Sequence, residues 1–260
     1  MIGDYLKSKE ISLQNKVALI TGSGSGMGEA AAIKLAIHGT ITIVNDIESY
    51  PIGKVVKKIL KNKGKALGYR ADVCSYSQVE NMVRKVVKQY GSIDILVNNA
   101  GILRRRKSIE EIDNKEWDHV MKVNVKGVFN CCKAVLGYMK KQRSGKIINI
   151  SSSAGRSTSE LGGAHYTASK AAVLGLTRHI AKEVAPYNIN VNSICPGLID
   201  TPMIRKMASQ EELGRWRKTI PMNRFGLPEE EADLVLFLAS DASSYINGAT
   251  IDINGASLLI

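Results

Sequence analysis

Residues 17–39 read VALITGSGSGMGEAAAIKLAIHG. An apolar run ends at Thr21, four glycines (Gly22, Gly24, Gly26, Gly28) follow on alternate positions, and a run of helical period starts at once. A glycine inside a regular element costs roughly 0.5–1 kcal/mol against alanine, so this cluster needs a physical reason. A flexible loop is one answer. The other is that a large anionic group lies directly against the backbone where a strand turns into a helix.

Six further runs share the character of VALIT (17–21): ITIVN (41–45), KALGYR (65–70), IDILVN (93–98), KIINIS (146–151), NINVNSI (188–194) and ATIDI (249–253). Stretches of helical period separate them, among them GEAAAIKLAIHG with its small-residue face and SQVENMVRKVVKQYG, where Gly91 is placed to act as the C′ residue. Strands alternating with helices predict βαβ units. The fold class is therefore α/β, a doubly wound, mainly parallel sheet of about seven strands with helices on both faces. No linker, low-complexity tract or composition break divides the 260 residues, so 1–260 read as one domain with an N-terminal extension over about 1–12.

In a right-handed βαβ unit the first strand–helix turn sits at the carboxyl edge of the sheet, where ligands bind. The helix after it offers unpaired N–H groups and a partial positive charge, which suit a pyrophosphate. The strict GxGxxG spacing fails, because from Gly22 it would require glycine at Met27. TGxxxGxG fits, running from Thr21-Gly22 through Ser25 to Gly26-Met27-Gly28. Eighteen residues past Gly28, Asp46 closes the second strand, the place for a carboxylate that accepts from ribose hydroxyls. Its charge repels a 2′-phosphate, and residues 21–28 hold no Arg or Lys, so the residues favour NAD over NADP.

The formal charge is +12, concentrated in KVVKKILKNKGK from Lys54, RRRK from Arg104 and KKQRSGK from Lys140. Two of the three resemble solvated faces or ends of amphipathic helices, and no nucleic-acid motif accompanies them. The four cysteines (Cys74, Cys131, Cys132, Cys195) lack CxxC spacing and clustered histidines, so small, reduced, mostly buried side chains are expected and no metal site. No apolar run approaches the roughly 20 residues of a membrane span, and MIGDYLKSKEISLQNK has no signal-peptide core. The expected location is the cytoplasm.

INISSSAGRSTSELGGAHYTASKAA carries the chemistry. On a helix, Tyr166 and Lys170 form an i, i+4 pair. A phenol titrates near 10, and a neighbouring ammonium lowers that value toward a useful acid/base. Such a group can exchange the hydroxyl proton while hydride moves between a carbinol carbon and nicotinamide. Ser152 closes a strand upstream, placed to bond the reacting oxygen.

From about Leu13 onward the chain resembles the classical short-chain dehydrogenase/reductases. The resemblance rests on TGSGSGMG (21–28), Asp72-Val73, NNAG (98–101), Asn124 in KVNVKG, Ser152, YTASK (166–170) and PGLIDT (196–201). It implies a Rossmann-like domain and a catalytic tetrad of Asn124, Ser152, Tyr166 and Lys170. Tyr166 would be the acid/base and Ser152 would orient the substrate oxygen. Lys170 would lower the phenol and hold the nicotinamide ribose, and Asn124 would bind a relay water through its backbone. Cofactor contacts are implied for Gly22, Ser25, Gly26, Met27, Gly28, Asp46, Asp72, Val73, Asn99, Gly101, Pro196, Ile199 and Thr201. Ser152 lies fourteen residues before Tyr166 where the family commonly has thirteen, so Ser153 stays open as an alternative. DING (252–255) stands where the family more usually has DGG.

The family's substrate cleft would be built from residues 102–107, 156–163 and a lid over about 198–226. Arg104, Arg105 and Arg106 are candidates for an anionic substrate. The main expectation is an NAD(H)-dependent enzyme on a small secondary alcohol or ketone. A 3-oxoacyl-(acyl-carrier-protein) reductase, with an acidic carrier protein as partner, is the alternative, and a non-catalytic dinucleotide sensor is a third. The intact tetrad speaks against the sensor. The resemblance also implies a homotetramer, with the apolar end SLLI (257–260) against another subunit.

Overall fold

Every residue of β1 (Val17–Ile20) is buried, as a strand covered on both faces requires. The structure, a computed structural model, describes residues 11–105 and 107–260. The expectations for residues 1–10 and for Arg106 lie outside the described residues. All seven apolar runs form strands: β1, then β2 (Ile41–Asp46), β3 (Lys65–Arg70), β4 (Ile95–Asn98), β5 (Gly145–Ile150), β6 (Ile189–Pro196) and β7 (Thr250–Ile253). Their order is β3-β2-β1-β4-β5-β6-β7, and every neighbouring pair is parallel. The winding reverses between β1 and β4, which opens a crevice at their carboxyl ends.

The helices in chain order are α1 (Gly26–Ile37), α2 (Ser49–Lys61), α3 (Tyr76–Tyr90), α4 (Asn114–Met121), α5 (Gly127–Gln142), α6 (Ala164–Val184), α7 (Pro202–Met207), α8 (Gln210–Thr219) and α9 (Pro228–Ala239). Side chains alternate across each strand, so the sheet feeds two cores. Leu19, Ile43, Leu96 and Ile147 face α3, α5 and α6, whereas Ala18, Ile20, Val44 and Ile148 face α1, α2 and α9. Gly91 closes α3 at φ +83°, the left-handed cap its place in the sequence predicted. In α2, Ile52, Val55 and Ile59 are buried while Lys54, Lys57, Lys58 and Lys61 are exposed, so this basic run is a solvated helix face. Among the described residues no helix is long and apolar enough to cross a membrane.

The cysteines are free, three of them buried and Cys74 half-buried, and burial raises all four thiols. They are inert packing groups. The C-terminal end is not tucked in: Leu259 and Ile260 remain 82% and 74% exposed.

One core position breaks the apolar pattern. Glu231, in the first turns of α9, is 1% exposed and neither carboxyl oxygen has a hydrogen-bond partner. Burial pushes its carboxyl up to about 8 from an ordinary 4.5. The unfolded chain therefore loses this proton first, and stability drains away as pH rises from about 5 to 8. Glu231→Gln should be more stable than the parent by a margin that widens across that window to a few kcal/mol, read from urea melts at stepped pH. A margin independent of pH would show that the carboxyl is not held neutral.

Candidate active site

Two glycines of the first turn answer to crowding within the protein. Gly22 has φ +60°, and a β-carbon there would stand 2.7 Å from Ala100 Cα. A β-carbon on Gly28 would strike the Gly22 carbonyl and the Asn99 amide. Asn99 Nδ2 donates to the Thr21 and Gly22 carbonyls at 3.0 and 2.8 Å, and the Asn99 and Ala100 N–H groups both donate to Thr21 Oγ1 at 3.1 Å. The ends of β1 and β4 are thus one locked unit. Ser25 is the N-cap of α1, yet its side chain makes no capping bond, so none of the first-turn N–H groups is capped by it.

This turn borders a cavity of about 390 Å³ whose lining includes Gly22, Ser25, Gly26, Met27, Asp46, Asp72, Val73, Asn99, Gly101 and Thr201. Ala100, Val123 and Met203 line it too, as does His119, which no motif in the sequence marks. Asp46 is fixed at the end of β2: its Oδ2 accepts from Gly24 N at 3.0 Å and its Oδ1 from Ile47 N at 2.8 Å. Arg70, opposite it in register, turns its Nε to the Ile47 carbonyl. Asp72 holds a tight turn by accepting from Cys74 N, and the cap of α3 is Ser75.

Three residues of the expected contact set, Gly28, Pro196 and Ile199, are not among those that line this cavity. Gly28 is a packing glycine behind the turn. Pro196 pairs with Ile253 in the sheet. Ile199 is buried against Gly226, facing a separate small pocket. A helix start whose cap makes no side-chain bond, a glycine-rich turn and a carboxylate lining the same cavity together fit a dinucleotide.

The tetrad residues converge beside this cavity. Asn124 lies in a π-turn (Lys122–Lys126) between α4 and α5, a local widening that recurs at functional sites. Its Oδ1 accepts from Ile102 N at 2.8 Å, and its Nδ2 donates to the Ile102 carbonyl and to Ser169 Oγ, both at 3.0 Å. Lys170 Nζ donates to the Ile150 carbonyl at 2.9 Å. A β-carbon on Gly101 would lie 3.4 Å from Asn124 Oδ1 and 3.5 Å from Lys170 Nζ. The glycine of the NNAG motif thus borders the space beside both groups.

Burial raises the Tyr166 phenol, and its hydrogen bond with Ser152 pulls it back down. Ser152 is thus the serine bonded to the phenol, while Ser153 lines the same cleft and opens a short helical turn. The Lys170 ammonium sits 5.8 Å from the ring centroid, bonded to Ile150, and Ser152 supplies the lowering. Lys170 itself is pushed down to about 8 by burial.

The family model described as Enoyl-(Acyl carrier protein) reductase matches residues 22–256. The chain is a short-chain dehydrogenase/reductase. It is 44% identical to the 3-oxoacyl-(acyl-carrier-protein) reductase FabG of Thermotoga maritima, over 95% of this chain and 99% of that one. It is 36% identical to a hydroxy(phenyl)methylsuccinyl-CoA dehydrogenase subunit of Thauera aromatica, over 96% and 99%. A short-chain type dehydrogenase/reductase from Mycobacterium marinum superposes with a TM-score of 0.92 at 37% identity, over 96% and 98%.

In this dehydrogenase/reductase a second cleft of about 370 Å³ opens on Ser152 and Tyr166. Leu103, Leu161, Leu198, Ile204, Trp216, Ile220 and Leu258 form its apolar wall, and Ser157, Thr158, Ser159, Thr219 and Ser257 add polar groups. Of the arginine run, only Arg104 and Arg105 are described, and neither lines this cleft. Arg105 donates to Glu212 of α8 at 2.8 Å, so its guanidinium already has a carboxylate. Among the described residues no cluster of His, Cys, Asp or Glu could hold a metal.

Gly28→Ala should cost about 1–3 kcal/mol by overpacking and abolish the fluorescence change on adding NADH. Gly137→Ala, on α5 with nothing within 4 Å of the new methyl, is the matched control and should leave both unchanged or slightly improve stability. Equal behaviour of the two variants would contradict the packing role of Gly28.

Proposed function

We propose that this oxidoreductase uses NAD(H) in preference to NADP(H) to interconvert a secondary alcohol and its ketone. The observation that carries the cofactor preference is Asp46, a carboxylate fixed by the Gly24 N–H within the cavity, where a 2′-phosphate would meet negative charge. NAD would be held by Gly22, Ser25, Gly26, Met27, Asp46, Asp72, Val73, Asn99, Gly101 and Thr201, with Lys170 and Tyr166 beside the nicotinamide ribose.

The bound nicotinamide supplies or accepts the hydride. The remaining work falls to this chain. In reduction the Tyr166 hydroxyl gives its proton to the substrate oxygen, and in oxidation the phenolate takes that proton back. Ser152 holds the same oxygen by hydrogen bond and stabilises the phenolate. Lys170, buried and still mostly protonated at pH 7, adds positive charge to a dry site. The Asn124 side chain is engaged with Ile102 and Ser169, which leaves its backbone in the π-turn for the relay water. Residues 198–226, carrying α7 and α8, serve as the lid.

The name of the Thermotoga maritima relative favours a second reading, reduction of a 3-oxoacyl group on an acyl carrier protein. We further assign the protein to the cytoplasm, where its four thiols stay reduced, and to a homotetramer. The exposed Leu259 and Ile260 support burial against another subunit, and sedimentation as a 28.3 kDa species would overturn it.

A panel of small ketones, secondary alcohols and acetoacetyl-(acyl carrier protein), each with NAD(H) and NADP(H), separates the two substrate readings. Asp46→Ala should erode the preference for NADH, and an unchanged NADH/NADPH ratio would remove its role. Tyr166→Phe should end turnover yet keep NADH affinity. Ser152→Ala removes the bond that lowers the phenol, so any residual alcohol oxidation should need a higher pH. A pH profile that stays put would remove Ser152 from the phenol's environment.

A further inference from the structure

Helix α6 begins without an ordinary cap. Its N-cap residue, Gly163, has no side chain, so the first-turn N–H groups need another acceptor. The imidazole of His165 supplies one. Tyr166 N–H, shared with the Gly163 carbonyl at 3.0 Å, donates to His165 Nδ1 at 2.7 Å. A backbone N–H can only donate, so Nδ1 carries the lone pair and the proton resides on Nε2. His165 Nε2 in turn donates to Glu116 Oε1 on α4 at 2.9 Å. The other oxygen, Glu116 Oε2, accepts from Lys107 Nζ at 2.7 Å.

The ring is fully buried. Gly163 is what admits it, since a β-carbon there would lie 3.0 Å from both His165 Cε1 and Ile112 Cδ1. A serine or aspartate cap and this imidazole therefore compete for the same space. The helix start has exchanged a side-chain cap for a ring anchored on α4.

We propose that His165, held by Glu116, is a positioning residue for Tyr166. It ties the backbone N–H of that residue to a fixed point outside α6, so the phenol keeps its place beside Ser152. The inference rests on the reading of Tyr166 as the proton donor. Three consecutive groups (Lys107, Glu116, His165) thereby join the segment after the NNAG motif to the acid/base, and none of them touches the cleft floor at Ser152.

The test compares His165→Leu, which removes both bonds, with His165→Asn, whose short amide oxygen can accept from Tyr166 N–H without needing an anchor. Turnover is followed with NADH and ethyl acetoacetate, NADH affinity by fluorescence, and the Tyr166 phenol by its near-ultraviolet tyrosinate difference spectrum against Tyr166→Phe. His165→Leu should lower kcat by about tenfold or more, with KM and the NADH Kd within about threefold, and should raise the phenol titration. His165→Asn should recover most of the loss. Glu116→Leu should behave as His165→Leu does, and Glu116→Gln, which keeps an acceptor, should stay near the parent.

Full kcat in His165→Leu, or a loss that His165→Asn fails to recover while both variants melt lower, would overturn the proposal. Unaltered kinetics in Glu116→Leu would overturn the anchor. Turnover retained in Tyr166→Phe would instead remove the underlying reading, whatever the His165 variants do.

Discussion

Where β1 turns into α1, the backbone can pass close to the end of β4 because nothing projects from Gly22 or Gly28. That approach lets the Asn99 amide reach two carbonyls of the turn and lets the Thr21 hydroxyl collect two N–H groups of the NNAG segment. Each bond satisfies a backbone group at the point where the winding reverses. The consequences run outward. With β4 pinned, Gly101 and Ile102 are placed, Ile102 is gripped by Asn124, and Asn124 reaches Ser169 on α6. The cofactor turn and the acid/base helix are thus connected by a short chain of hydrogen bonds rather than by general packing.

Desolvation governs the chemistry at the end of that chain. A phenol and an ammonium buried together both shift toward their neutral forms, the first upward and the second downward. Ser152 partly offsets this for Tyr166 by offering a hydrogen bond to the phenolate. A dry site also strengthens each remaining interaction, so small displacements of the phenol matter more than they would in water. The imidazole cap at the start of α6 belongs to the same economy of position: it replaces a local cap with one referred to a second helix. Glu231 shows the opposite case, a buried carboxyl with neither partner nor task in the site, and it weakens the fold as it ionises.

The oxidoreductase chemistry and the substrate question separate physically. The dinucleotide cavity is built from backbone close to the sheet, with its key side chains fixed by hydrogen bonds. The second cleft is walled by the segment after β5 (residues 152–161) together with residues of α7, α8 and the C-terminal end, where apolar side chains and hydroxyls mix. Arg105, in the segment after the NNAG motif, and Glu212 of α8 form an ion pair between side chains that are 69% and 21% exposed. Such a pair is worth little in isolation and is screened by salt.

Period and spacing in the sequence were enough to determine the seven strands, the helices between them, the parallel sheet and the glycine turn, because each is set by local alternation and by residues close along the chain. The Tyr166–Lys170 pair was legible for the same reason, one helical turn apart, whereas Asn124 and Ser152 entered the tetrad only through the family resemblance, and Ser152 lies just past the end of β5. Only the tertiary structure decided that Gly28 serves packing, that Ile199 turns away from the cavity and that His119 turns toward it. The same holds for Asn98 of the NNAG motif, which is buried and bonded to Asn149 at 2.8 Å across the sheet. His165 gave no sign at all beside the tyrosine. Its partner Glu116 lies 49 residues away, and a hydrogen bond between elements that meet only after folding leaves no local pattern to read.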